Sequence, residues 1–587
     1  MQQSILTKVQ KTAWAVAGFL LRPFTHCWPF FVSMLALYVA VKLLVNGGTV
    51  LLKDAMPELY VIAMLLSFLR GKARTIVSLA TLVVMGTLAI IEAFLMTQFN
   101  LDFMGEVFRL MLESSPSETS QFLDTFVFQM HNIKFVVLLS CFIILALALH
   151  AVKARLGDFD MRKSLGSKCV SCMVVLAVIA HFIYSGWIPA QYYIGNVLLA
   201  HDLYDFEMRY IYGREHGSHY SKTSITRLVF GLKLYHLSTL QCDELLNTSK
   251  NARIDSCSHT SPCIILFIGE SFIKRHAQVY GYNKATTPRL MQELREGNLT
   301  VIDDAVTTAT QTSEVIKNML SLHSIEQPGT WTSAPMVMQL MKQAGYRVSF
   351  VTNQYAATEH NVWNSTGGFF LRDPRVSHLL LDYQTPASHD YDDALLAELD
   401  QAITPGKLNL NIFHVRGQHV AYDCSYPASH AHFTAADYRD RTELSADQKQ
   451  VVAHYDNSTL YQDSIFGVLF DRYVQQDVVL VFASDHGENA YDDGKTLGRV
   501  HDDKTPAMIE SQYQVPMWIW YSPRYKELHP EMVEKIQMAA HRPFQTDDIP
   551  HLILELAGVK CKYFDPARSL INDQFNTSRP RKVTVKK

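Results

Sequence analysis

Apolar residues are distributed unevenly along the chain. Long apolar runs crowd the first third, at residues 25–45, 50–69, 75–96, 135–152 and 169–188, and shorter ones follow. A helix needs about 20 mostly apolar residues to cross a hydrocarbon core roughly 30 Å thick, because each residue rises about 1.5 Å. The first, third and fifth runs meet that length well and the fourth narrowly. The second carries Lys53, Asp54 and Glu58, so its clean core is only 57–69, yet it separates flanks of different charge. The pattern predicts five spans. The first run is long, no small-residue cleavage site follows it, and further runs come after, so it reads as a retained anchor rather than a signal peptide.

Basic residues orient the spans, since they favour the cytoplasmic side. Lys8, Lys11 and Arg22 flank the first run, Arg70, Lys72 and Arg74 lie between the second and third, and Lys153, Arg155, Arg162, Lys163 and Lys168 between the fourth and fifth. The loop 99–133 is instead acidic, with Asp102, Glu106, Glu113, Glu118 and Asp124 against Arg109. One topology satisfies all of these loops: N-terminus inside, five spans, and everything after residue 188 outside.

Beyond the spans, amphipathic aromatic stretches at 192–212 and 224–240 suit a membrane interface, and 247–261 is polar and turn-rich. From residue 262 onward, short apolar runs (263–268, 348–351, 408–415, 478–483, 515–520) alternate with amphipathic ones (333–344, 391–403, 448–473). Buried strands separated by helices predict an α/β domain with a mainly parallel central sheet. The expected organisation is therefore a transmembrane domain 1–188, interfacial helices and linker 189–261, a catalytic α/β domain 262–577, and a basic tail 578–587 that reads as a solvated end.

Composition adds little. The net charge of −3 over 587 residues argues against a nucleic-acid partner. Of nine cysteines, Cys27, Cys141, Cys169 and Cys172 lie in or near the spans, and Cys242, Cys257, Cys263, Cys424 and Cys561 beyond them. In an oxidising compartment Cys257 and Cys263 are a candidate short disulfide loop, although spacing leaves the connectivity open.

Candidate chemistry sits at strand ends, where ligands gather in parallel sheets. Run 263–268 ends in Gly269-Glu270-Ser271, and run 478–483 in Ser484-Asp485-His486-Gly487-Glu488. Carboxylates and imidazole are oxygen and nitrogen ligands suited to zinc or manganese. Run 408–415 leads through His414 to His419, and His501 follows downstream. Between them, 306–320 (VTTATQTSEVIKNML) brings hydroxyls to a helix start. There a nearby cation and the helix dipole would both favour an alkoxide.

Taken together, stretches 269–290 (GESFIKRHAQVYGYNKATTPRL), 341–354 (MKQAGYRVSFVTNQ), 418–427 (QHVAYDCSYP), 455–463 (YDNSTLYQD) and 484–488 (SDHGE) are similar to the bacterial phosphoethanolamine transferases that modify lipopolysaccharide. These are members of the sulfatase and alkaline phosphatase-like superfamily. The acidic loop 112–123 and the tail 556–575 resemble the same group, and the chain looks most like the branch acting on core heptose. The resemblance implies metal ligands Glu270, Asp485 and His486, a nucleophilic and metal-binding Thr312, substrate histidines His419 and His501, and a catalytic proton-transfer role for His419. It further implies Zn2+ (or Mn2+), a phosphatidylethanolamine donor, a lipopolysaccharide or other envelope glycan acceptor, and a multi-pass inner-membrane protein with its catalytic domain in the periplasm. A sulfatase would carry Cys or Ser in a Cys/Ser-x-Pro-x-Arg setting, which Thr312-Ser313-Glu314-Val315-Ile316 does not match. A glycerol-phosphate transferase of the lipoteichoic acid synthase type shares the anchor, the Glu and the Thr, but the 269–271 and 455–457 stretches look less like it. A non-enzymatic envelope scaffold is disfavoured by the presence of Glu270, Thr312, Asp485 and His486 together.

Overall fold

The computed structural model describes residues 12, 14–44, 52–99, 132–158, 168–215, 223–354, 369–386, 389–499 and 505–582. The chain divides into two compact units, Met1–Leu237 and Ser238–Lys587.

The first unit is helical among its described residues. Helices Trp28–Leu44, Leu52–Ser67, α1 (Gly71–Phe99) and α2 (Ile133–Leu156) carry its core, which includes Phe30, Met34, Leu59, Ala63, Ala93 and Phe135. Their outer faces are apolar too, with Leu65, Ile76, Val84, Ile144 and Leu156 exposed. Helices apolar all round suit a non-aqueous surround.

The five-span expectation is not met in full. Among the described residues two helices, Gly71–Thr97 and Ile133–Leu156, are long and apolar enough to cross a membrane, and Ser171–Ser185 with Ala190–Leu198 makes a third candidate bent by 51°. Trp28–Leu44 and Ala55–Ser67 are apolar but shorter. The first run is cut because the chain leaves helical geometry at Cys27 and restarts at Trp28, with Pro29 in the first turn, where a missing N–H costs nothing. The described part of the restarted helix has 17 residues and is about 26 Å long, shorter than the two long candidates. The second run contains Pro57 and loses its charged N-terminal portion from the apolar stretch.

The second unit is built on a seven-stranded sheet. In chain order its strands are β1 (Cys263–Gly269), β2 (Leu299–Ile302), β3 (Arg347–Thr352), β4 (Tyr383–Gln384), β5 (Asn409–His414), β6 (Val478–Ser484) and β7 (Met517–Tyr521), arranged β2-β7-β6-β1-β5-β3-β4. The pairings β1 with β5, β1 with β6, β3 with β5 and β3 with β4 are parallel. Strand β7 runs antiparallel to both β6 and β2, so the sheet is mixed rather than mainly parallel. An apolar run reveals a buried strand but not its direction, and β2 is too short to stand out.

Every residue of β1 and β6 is buried, as expected of central strands covered on both faces. The long helix α4 (Ala446–Tyr473) starts at a Ser445–Gln448 capping box and lies along this sheet. Its Phe466 ring sits 4.9 Å from Phe267, 4.9 Å from Trp518 and 5.3 Å from Phe482, which locks the helix over β1, β6 and β7.

Two further expectations change. Cys257 and Cys263 are free thiols, because Cys263 opens the buried strand β1 while Cys257 pairs its backbone with Val559. The basic tail is not a solvated end over its described part. Arg579 reaches Asp547 Oδ2 at 2.8 Å, Asp548 and Glu326 Oε1 at 3.3 Å, and Arg581 meets Asp304 Oδ1 at 2.5 Å. The carboxylates of Asp547 and Asp548 are buried, and burial demands counter-charges that Arg568 and Arg579 supply.

Candidate metal centre

Strands β1, β5, β6 and β3 run parallel, so their carboxyl ends share one edge of the sheet. The register pairs Gly269 with Ser484 and Ile268 with His414, which brings the turns after β1 and β6 side by side. Ser271 adopts a left-handed φ of 56°, a conformation that costs a non-glycine residue free energy. It is held there by Asp485, whose Oδ1 accepts from the Ser271 N–H at 3.0 Å and from the His486 N–H at 2.7 Å. Gly417, at φ 49°, passes close to the Glu270 backbone: a Cβ would sit 3.0 Å from the Glu270 carbonyl oxygen. Only glycine fits both constraints.

Glu270, Asp485 and His486 are all fully buried, and one ligand atom from each lies within 4.8 Å of the others. His486 Nε2 is 3.3 Å from Glu270 Oε1 and 3.1 Å from Asp485 Oδ2. Helix α3 (Thr312–Leu320) begins at the same point. The Thr312 hydroxyl donates to Glu270 Oε2 at 3.0 Å and lies 3.3 Å from His486 Nε2. Its oxygen therefore sits at the positive end of a helix dipole, beside three potential ligands.

The electrostatics suit a cation. Burial raises the Asp485 carboxyl well above the usual range, and the Glu270 charge beside it adds to the effect. Burial also disfavours an ionised Glu270, but its polar surroundings, the imidazoles of His486 and His419 and the Arg499 guanidinium, outweigh it and hold Glu270 low. Asp485 Oδ2 is buried without a hydrogen-bond donor. His486 Nδ1 faces the Gly487 carbonyl oxygen at 3.1 Å, which fixes the proton there and leaves the Nε2 lone pair directed into the cluster. Burial, followed by the Arg499 charge, keeps this imidazole neutral, with a pKa of about 4. Two carboxylates and a neutral imidazole converging in a buried site have the donor chemistry of a divalent-metal centre.

The sulfatase family model matches residues 262–559, half of the chain. The chain belongs to the sulfatase family. Similar proteins include phosphoethanolamine transferase EptC of Escherichia coli, 29% identical over 327 residues (55% of each chain), and phosphoethanolamine transferase CptA of Salmonella typhimurium, 28% identical over 360 residues (60% of this chain and 61% of CptA). The chain thus spans little more than half the length of the curated relatives it matches. Among solved structures, the C-terminal periplasmic domain of E. coli EptC in complex with Zn is 28% identical. It covers 55% of this chain and 89% of that one, with a TM-score of 0.46.

Of the residues singled out in this sulfatase-family sequence, Glu270, Thr312, Asp485 and His486 come together. His419 is near enough for its charge to act on Glu270, but its ring makes only a local contact, Nδ1 to the Val420 carbonyl oxygen at 3.3 Å. Burial lowers its pKa, against the pull of Glu270, so the ring favours the neutral form. His414 is buried at the end of β5, where burial lowers it to about 4, and it sits 3.3 Å from Thr352 Oγ1. His501 lies outside the described residues.

Three further side chains belong to the site and escape sequence reasoning. Gln354 Nε2 donates to Glu270 Oε2 at 2.7 Å and to the Val415 carbonyl oxygen at 2.6 Å. It follows strand β3, so the strand-end rule that singled out Glu270 also applies to it. Arg499 donates to the Thr310 carbonyl oxygen and, at 2.8 Å, to His486 Nε2; no local motif marks it. Glu488 accepts from the Tyr422 hydroxyl at 2.6 Å, and burial lifts its carboxyl to about 7.

Proposed function

We propose that this chain is a membrane-anchored transferase that moves phosphoethanolamine from phosphatidylethanolamine to a lipopolysaccharide acceptor, core heptose before lipid A phosphate. In this reading the helical unit anchors it in the bacterial inner membrane and the sulfatase-family unit works in the periplasm. One observation carries the reading: the buried Thr312 hydroxyl, at a helix N-terminus, is within hydrogen-bond reach of both Glu270 and His486. The names of EptC and CptA, both phosphoethanolamine transferases, support the group transferred.

Glu270, Asp485, His486 and Thr312 would hold the metal, zinc by preference for this donor set, and it would supply positive charge for the phosphoryl oxygens and for a deprotonated Thr312. Thr312 Oγ1 attacks the phosphorus of the donor phosphodiester, and the bond from phosphorus to the glycerol oxygen breaks. Diacylglycerol leaves, taking up a proton, and phosphoethanolamine stays esterified to Thr312. An acceptor hydroxyl then attacks the same phosphorus, Thr312 Oγ1 departs, and it regains a proton. His419, favoured in its neutral form, is suited to accept the acceptor's proton in the second step. Gln354 keeps Glu270 oriented throughout.

The test is mass spectrometry of lipopolysaccharide from cells with the gene, without it, and with Thr312→Ala. A phosphoethanolamine-sized gain with the gene and its loss in the variant are expected, and fragmentation assigns the gain to core sugar or lipid A. Identical lipopolysaccharide in all three strains would exclude this function.

A further inference from the structure

A second site lies in the helical unit. A cavity of about 600 Å3 opens where the N-terminal end of α1 meets the C-terminal end of α2 and the segment around His26. Lys72, Arg74 and Lys153 line it, together with His26 and the carboxylate of Asp158. Asp158 is drawn onto the cations: Oδ1 accepts from Arg74 Nη1 at 2.8 Å and from Lys153 Nζ at 3.2 Å, and Oδ2 lies 2.6 Å from His26 Nδ1. One carboxylate faces Lys72, Arg74 and Lys153, so positive charge is left over, and Lys72 has no ion pair among the described residues. The N-terminal end of α1, which forms part of the wall, adds its dipole in the same sense. Deeper in, Ser78 and His150 close on each other at 3.0 Å, and His150 Nδ1 is bonded to the Ala146 carbonyl oxygen at 2.8 Å. The pair uses up its own hydrogen-bonding capacity, which leaves the cations as the charged donors that an incoming anion meets.

We infer that this cavity binds the phosphate of an anionic phospholipid such as phosphatidylglycerol. Phosphate chemistry follows from the surplus charge and the helix end. A lipid rather than a free phosphate follows from the wall beside the cations, where Ile76 lines the cavity and is 65% exposed, with Val77 exposed next to it. An acyl chain covers such side chains, and an inorganic ion does not. The basic residues Lys72, Arg74 and Lys153 that line the cavity assign it to the cytoplasmic leaflet. The site is independent of the metal centre, and it rests on the helical unit lying in a bilayer, which resistance of the full chain to carbonate extraction checks separately.

The experiment reconstitutes the full chain in nanodiscs and measures, by native mass spectrometry, retention of phosphatidylglycerol, phosphatidylethanolamine and phosphatidylcholine, with inorganic phosphate as a further arm. Phosphatidylglycerol should be retained selectively. Lys72→Gln, which removes an exposed side chain outside any ion pair and so leaves the fold intact, should weaken that retention about fivefold. Asp158→Asn, which frees the neighbouring cations, should leave it equal or stronger. Equal retention of all three lipids, indifference to Lys72→Gln, or displacement of the lipid by millimolar inorganic phosphate would each overturn the assignment.

Discussion

Arg499 Nη1 donates to His486 Nε2 at 2.8 Å, onto the lone pair that a metal ligand must offer. The guanidinium thus competes with a cation for His486, and its charge opposes one electrostatically. It also binds the Thr310 carbonyl oxygen, two residues before Thr312, so its charge is at hand for a phosphoryl group there. Arg499→Gln should therefore bind zinc about tenfold more tightly in chelator competition while losing transferase turnover. Unchanged metal affinity would show that Arg499 swings clear of the site without cost.

Gln354 holds the oxygen of Glu270 that also receives the Thr312 hydrogen bond. Residues that orient a ligand typically matter about 10–100-fold in metal affinity or activity. Gln354→Ala should lose that much in metal affinity, read by chelator competition, with thermal stability of the metal-free protein little changed. Wild-type metal binding in this variant would remove Gln354 from the site.

His276 is buried between two aspartates, with Nδ1 2.5 Å from Asp456 and Nε2 3.0 Å from Asp492. Burial works against its charge, but the two carboxylates outweigh burial and lift its pKa to about 10. A raised folded pKa gives stability that is full below the unfolded value of about 6.5 and is lost as pH rises through about 10. His276→Gln should cost about 3–5 kcal/mol near neutrality, because it strands buried carboxylates. The melting-temperature gap between wild type and variant should then narrow from pH 6 to pH 10. A gap that stays constant would mean the imidazole is not charged in the folded protein.

Gly487 separates His486 from Glu488, and a Cβ there would run into the Ser511 carbonyl oxygen. That obstacle is backbone rather than a flexible side-chain tip, so the chain itself must move. Gly487→Ala should lower the melting temperature and reduce the amount of metal retained after dialysis, since His486 moves with the strand end. A variant with native stability and a full metal complement would contradict this.

Much of the site was legible locally. Glu270 and Asp485 each follow directly on a fully buried strand, and Thr312 opens a helix, so each carries its signal in a handful of neighbouring residues. Arg499 and Gln354 are harder to read, because their roles depend on which loops meet. Gln354 lies 84 positions from the Glu270 it supports.

By itself the sequence determined the apolar N-terminal region, the α/β character of the rest and the carboxylate and imidazole groups at two strand ends. Run length, strand-and-helix alternation and strand termini are properties of short stretches. Tertiary structure alone decided that β7 runs against its neighbours, that Arg579 docks on buried aspartates, and that Gln354 and Arg499 reach the Glu270, Asp485 and His486 cluster. The physical reason is the same throughout: direction, docking and partner choice are set by contacts between residues far apart in the chain, where burial demands a matching charge or hydrogen bond.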